Sequence, residues 1–267
     1  MIKSSPAKPP RLVIFAQDRS SGKTLTAQAF LSFSLYANYR PIILQSDQQT
    51  RLIRYGEVHT IPLAGTSEVM ENDMSDIDRN GILLELIDRL KDDPDLLIIY
   101  DMQAGSVARL ADILDALGIN ERLLEIGETA LVIAPLTTRT DIAAATLYTM
   151  EQFGGALPDH AVMPIISYRD GSPADLSAEH PYHRALKAAK SGVLEFPAIN
   201  KQAALLFERM DRTLHEVVAL ETSAEIAGLA AELGTSAARA TVLVATCRKI
   251  LTGLKPQAES LGFRLGR

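Results

Sequence analysis

The chain has 267 residues, 47% of them hydrophobic and 22% charged. That is long and apolar enough to bury a large α/β core and excludes global disorder. Its 27 Lys and Arg against 33 Asp and Glu leave a formal charge of −6, which excludes a protein that coats nucleic acid over its whole surface. Residues 1–10, with Pro6, Pro9 and Pro10, are expected to form a disordered lead-in to one domain over 11–267. Residues 12–16 form a short continuous apolar run, which suits a parallel strand covered on both faces. Runs of the same type recur at 41–45, 96–100, 130–134 and 161–166, with a weaker one at 193–196. Helical spacing separates them at 24–37, at 76–90 (Ile77, Ile82, Leu83, Leu86, Ile87 and Leu90 on one face) and at 141–153. After Phe207 the strand signal stops, and 208–220 and 221–254 read as helical with breaks at Gly228 and Gly234. The expected fold is an α/β, doubly wound, mostly parallel sheet flanked by helices, with a helical C-terminal segment and ligands at the carboxyl ends of the strands. The single cysteine, Cys247, excludes an intramolecular disulfide framework and a cysteine zinc site. With no apolar run of 18 residues and no apolar segment of signal type in residues 1–10, the expected setting is cytoplasmic.

The most informative segment is residues 16–24, between the first strand and the first helix. Gly22-Lys23-Thr24 is the end of a Walker A loop. Gly22 lets backbone approach a phosphate. Successive N–H groups and the helix N-terminus favour an anion. Lys23 would reach the β- and γ-phosphates, and the Thr24 hydroxyl would hold Mg²⁺. The usual first glycine of the loop is Gln17 here. The run at 96–100 delivers Asp101 to a strand's carboxyl end, as a Walker B carboxylate that could support Mg²⁺ or cap the next helix. Asp47 follows the second strand, where it could orient an attacking water or be a turn residue.

In the order of these elements the chain resembles the ParA/MinD group of deviant-Walker P-loop ATPases over about residues 11–210. Ser21-Gly22-Lys23-Thr24 is similar to the second half of that family's loop. Asp47 and Gln49 are similar to its Asp-x-Asp-Pro-Gln motif, Asp101 to its later strand-end Asp, and Glu195-Phe196-Pro197 to a strand ending in a proline near the adenine. The resemblance implies ATP and Mg²⁺ as cofactors, with Lys23 and Asp47 in catalysis and Thr24 and Asp101 at the metal. It also implies nucleotide contacts from Asp18, Ser20, Ser21, Gly22, Lys23, Thr24 and Leu25, and base-side contacts from Ser167 and Pro197. Asp18 stands where the family has its signature lysine, with Arg19 and Ser20 at its two glycines and Gln45 at the first Asp of the second motif. Arg19 is the cationic substitute one residue on. The function implied is a weak ATPase switch that governs a nucleotide-dependent homodimer and a protein partner or adaptor in plasmid partition, conjugal transfer or cargo positioning. An Asp at position 18 also resembles dethiobiotin synthetase, which leaves a small-molecule kinase or ligase as one alternative and a non-hydrolysing nucleotide-binding adaptor as another.

Three further features are weighed. Arg239, Arg248, Lys249, Lys255, Arg264 and Arg267 against Glu259 make the C-terminal stretch basic; it is a solvated face or a contact for DNA phosphates. Arg139 and Asp141 follow the strand at 130–134 at the carboxyl edge, where an N-cap role for Thr140 or Asp141 is the simpler reading. His180 and His183 have the spacing of a metal pair, but Pro181 between them argues against a regular helix there.

Overall fold

The computed structural model describes residues 8–19, 22–46, 51–63, 74–199 and 201–263. The apolar runs form the strands of one sheet: β1 (Leu12–Phe15), β2 (Arg40–Gln45), β3 (Glu57–Thr60), β4 (Leu96–Asp101), β5 (Ala130–Leu136), β6 (Ala161–Ser167) and β7 (Leu194–Phe196). Their order is β3-β2-β4-β1-β5-β6-β7, and every pairing is parallel. Alternate side chains leave opposite faces of a strand, so a continuous apolar run feeds two cores. Val13 and Phe15 enter one, and Leu12 and Ile14 the other. The first core lies under α1 (Lys23–Tyr36) and the C-terminal helices α8 (Lys201–Phe207), α9 (Leu214–Val218), α10 (Ser223–Glu232) and α11 (Ala237–Ser260). α2 (Ser75–Asn80) packs against α3 (Ile82–Arg89) and α4 (Val107–Ala116), which cover the second core together with α5 (Ile119–Glu125), α6 (Thr140–Ala156) and α7 (Pro181–Ala188). This is the expected doubly wound architecture with its helical C-terminal segment. Among the described residues, no helix is long and apolar enough to cross a membrane.

Several elements differ from the sequence-based expectation. Residues 76–90 are two helices, not one. The Asn80 carboxamide donates to the Asp76 carbonyl at 2.8 Å, and the Gly81 N–H turns to Asp78 O at 3.2 Å, so the ladder breaks there. Gly228 sits inside α10, and only Gly234, at φ +58°, follows a helix end. In 208–220 only α9 is helical, opened by a capping box between Thr213 and Glu216. The edge strand β3 went unread because Glu57-Val58-His59-Thr60 has no apolar run. Lys8, in the expected lead-in, donates to Gly127 O and pairs with Glu128 at 2.8 Å.

The strand ends remote from the phosphate loop carry one titrating contact. The His160 ring accepts the Ala130 N–H at Nδ1, 3.4 Å away. Burial lowers its pKa below the ordinary 6.5. The unfolded chain therefore takes up a proton before the folded one does. The stabilisation is complete above about 6.5 and is lost as pH falls from there through the lowered folded value. Urea midpoints measured on either side of that window should fall toward acid, and the fall should be shallower in His160→Gln.

Candidate phosphate and magnesium site

The site is assembled at the carboxyl edge by the register of the three central strands. Phe15, the last residue of β1, lies opposite Asp101 of β4 and Ile133 of β5. The chain leaves β1 in the middle of the sheet and turns back into α1 at Gly22. Gly22 has φ +92° and ψ 22°, a left-handed conformation that costs an L side chain roughly 1–2 kcal/mol. No heavy atom lies within 4 Å of a Cβ built there, so conformation and not space requires the glycine. Gly22→Ala should lower stability by about that amount and weaken phosphate binding by misdirecting the following N–H groups. A thermal melt and a calorimetric titration measure the two effects separately.

Lys23 is 8% exposed. Its ammonium lies across the loop, donating to Gln17 O at 2.8 Å and Arg19 O at 3.2 Å. The Thr24 hydroxyl donates to Asp101 Oδ2 at 3.0 Å, although the two residues are 77 apart in sequence. Asp101 is 5% exposed. Hydroxyl and carboxylate oxygens are the hard donors Mg²⁺ prefers, and Mg²⁺ usually takes one or two carboxylates and draws the rest of its shell from phosphate and water. The pair fits that role. Among the described residues there is no cluster of three or more His, Cys, Asp or Glu that could cage a metal alone. Leu25 is half-buried and packs toward the first core.

Asp18 is half-buried. Its Oδ1 accepts the backbone N–H of Val107, the first residue of α4, at 2.9 Å. Its own N–H donates to Gln17 Oε1 at 2.8 Å. A carboxylate at a helix N-terminus meets unsatisfied N–H groups and the positive end of the helix dipole. Asp18 therefore ties the phosphate loop to the segment that follows Asp101. Arg19 is exposed. Ser20, Ser21 and Asp47 lie outside the described residues.

Gln17, at the position of the loop's usual first glycine, anchors the loop. Its side chain is fully buried and donates to Pro135 O at 3.0 Å and Thr146 Oγ1 at 2.8 Å, binding the loop's first turn to β5 and α6. A buried amide needs partners, and a polar residue following five buried apolar ones was the available signal. A second buried network lies beside Asp101. The Tyr100 hydroxyl donates to Asn80 Oδ1 at 2.9 Å. Burial raises the Tyr100 phenol to about 12, so it remains a neutral donor. Asp76 pairs with Arg109 of α4, with Nε 2.9 Å from Oδ2.

The base-side candidates lie on the same edge. Ser167, at the end of β6, is opposite Phe196 of β7, with Pro197 next. They are two and three strands from β1, roughly 10 and 14 Å at the usual strand spacing. The remaining candidates are engaged elsewhere. Arg139 and Asp141 pair with each other at 2.7 Å. His180 caps α7 by accepting the Tyr182 N–H at 3.2 Å, and Pro181 is tolerated at the first helical position. In the basic C-terminal stretch, Arg248 donates to Leu220 O, Lys249 to Ala198 O at 2.8 Å, and Lys255 faces Glu259 at 4.0 Å. Arg264 and Arg267 lie outside the described residues.

No family model and no curated protein matches the chain. Among solved structures, the GDP complex of the 54 kDa signal recognition particle protein from Aeropyrum pernix K1 aligns with a TM-score of 0.43 and 12% identity. The alignment covers 94% of this chain and 79% of that one.

Proposed function

We propose that the chain is a Mg²⁺-dependent nucleotide-binding switch of the ParA/MinD type, taking ATP and pairing with a second copy of itself in the ATP state. The observation that carries the reading is the contact between Thr24 and Asp101 beside the Lys23 ammonium. Two residues far apart in sequence meet where a helix N-terminus and a buried lysine already favour phosphate. In this reading Lys23 binds the β/γ-phosphates, Thr24 and Asp101 hold Mg²⁺, and Asp47 orients water. Mg²⁺ supplies charge neutralisation between the phosphate oxygens when bound. Nucleotide state then controls association with a protein partner or adaptor.

The test is solution mass by light scattering, with Mg²⁺ throughout, without nucleotide, with ADP and with a slowly hydrolysed ATP analogue. A dimer formed only with the analogue is the expected result. A mass indifferent to nucleotide that demonstrably binds would defeat the switch. One observation favours a second reading, a nucleotide-binding adaptor without turnover. At the position of the family's signature lysine, the Asp18 carboxylate is committed to Val107 of its own chain. Intact binding with no ADP released, with or without a partner, is what that reading predicts.

A further inference from the structure

The C-terminal helix packs both on α1, the helix that leaves the candidate site, and on the turn after β7. Its buried stripe, Leu243, Cys247, Ile250 and Leu254, shares one core with Phe30 and Phe33 of α1, the helix that begins at Lys23. A second stripe, at Lys249, Gly253 and Gln257, faces β7 and the turn after it. Residues four apart share a helix face, so the three contacts stack one above another. At the bottom, the Gln257 carboxamide accepts the Glu195 N–H at 2.7 Å and donates to Glu195 O at 2.9 Å. It gives the outer edge of β7 the donor and acceptor that a neighbouring strand would give. One turn up, a Cβ on Gly253 would lie 2.5 Å from Pro197 Cγ, so the helix can lie this close only with glycine there. One turn further, Lys249 Nζ donates to Ala198 O at 2.8 Å.

We infer that α11 is the positioning element for the base end of the nucleotide, with Gln257, Gly253 and Lys249 fixing the Phe196-Pro197-Ala198 turn as a rigid wall. The inference rests on the nucleotide-binding reading above. A wall fixed at three points by a helix that also packs on α1 keeps its distance from the phosphate loop. Such preorganisation removes part of the ordering cost of binding. None of the three side chains has to touch nucleotide; they act through the turn.

The test compares Mg-ATP with Mg-tripolyphosphate, which has the phosphates but no base, by calorimetry on the full chain. The wild-type protein should bind ATP more tightly than tripolyphosphate. Gln257→Ala and Gly253→Ala should each weaken ATP by about tenfold, the equivalent of roughly 1.4 kcal/mol, and leave tripolyphosphate unchanged. Lys249→Met should act in the same direction, and Lys249→Arg, which retains a donor for Ala198 O, should restore wild-type affinity. Lys249 is exposed, so its pair of variants carries the test even where Gln257→Ala lowers the melting temperature. ATP and tripolyphosphate weakening together, or ATP unchanged in folded variants, overturns the inference and leaves nucleotide binding standing. Equal wild-type affinity for the two probes removes the base-side wall. Binding of neither by the wild-type protein removes the nucleotide reading itself, and the inference with it.

Discussion

Lys23→Ala is expected to lower Mg-ATP affinity by two orders of magnitude or more while leaving a folded protein. Lys23 sits at the first position of α1, where alanine is a good helix former. The lost ammonium now bridges two carbonyls of its own loop, Gln17 O and Arg19 O. Water can reach the carbonyl of the exposed Arg19, while the buried Gln17 carbonyl loses its donor at a cost of roughly 1–3 kcal/mol, which lowers the melting temperature without unfolding the chain. The phosphates have no such replacement, since the other cation of the loop, Arg19, is exposed and its guanidinium is not anchored at the start of α1 as Lys23 is. A hydrogen bond to a charged group is worth roughly 1.5–3 kcal/mol, and two of them correspond to a loss of about a hundredfold or more. Calorimetric titration measures the effect, with a thermal melt to certify the fold. An unchanged affinity in a folded Lys23→Ala protein would remove the loop assignment and everything built on it.

The second large effect lies at the opposite end of the sheet and concerns stability alone. Arg11, 4% exposed, enters β1 from below; its guanidinium donates to Leu96 O and Asp93 O and faces Glu128 Oε1 at 3.7 Å. Tyr39 covers it, with its ring centroid 6.0 Å from Cζ. Arg11→Ala strands two carbonyls and leaves the buried Glu128 carboxylate with only Lys8 as a cationic partner among the described residues. Breaking a buried ion pair from one side costs about 3–5 kcal/mol. Urea denaturation should show a loss near the low end of that range, because Lys8 remains. ATP affinity should not move, since Arg11 lies a full strand length from Gly22. A loss below about 1 kcal/mol, the range of surface pairs, would mean that the pair is solvated and not structural.

How much was legible in the sequence follows from which forces act locally. β1, β2, β4, β5 and β6 were readable because a strand covered on both faces must be apolar at every position, which leaves runs such as Leu96 to Tyr100. The turn into α1 was readable at Gly22, because a left-handed residue between a strand and a helix calls for glycine. α4, α5 and α7 went unread although their apolar faces are real; α5 and α7 open on Gly118 and His180, and Ser106 before α4 turns its hydroxyl to Gln103 O rather than capping the helix. α4 is instead capped by Asp18, 89 residues earlier, and no local pattern records that. The same holds for Gln17, whose partners Pro135 and Thr146 lie more than a hundred residues on. The resemblance places Asp18 among the nucleotide contacts, and nothing near it in the sequence signals the Val107 amide it meets.

The all-parallel sheet has a consequence during synthesis. A parallel strand cannot pair with its neighbour in sequence through a tight turn. Leu12 pairs with Ile98 and with Ala130. The strand that ends at the phosphate loop is therefore the first made and among the last enclosed. At roughly 5–20 residues per second it waits on the order of 6–24 s for its second flank. Until β4 is made Leu12-Val13-Ile14-Phe15 is a bare apolar β-former, and until β5 is made it keeps one open edge, the type of segment that seeds aggregation. Charged Lys8 and Arg11 immediately before it, and Asp18 and Arg19 soon after, act as gatekeepers on the nascent chain. Residues that anchor and cap the finished protein thus also guard its most exposed segment before it folds.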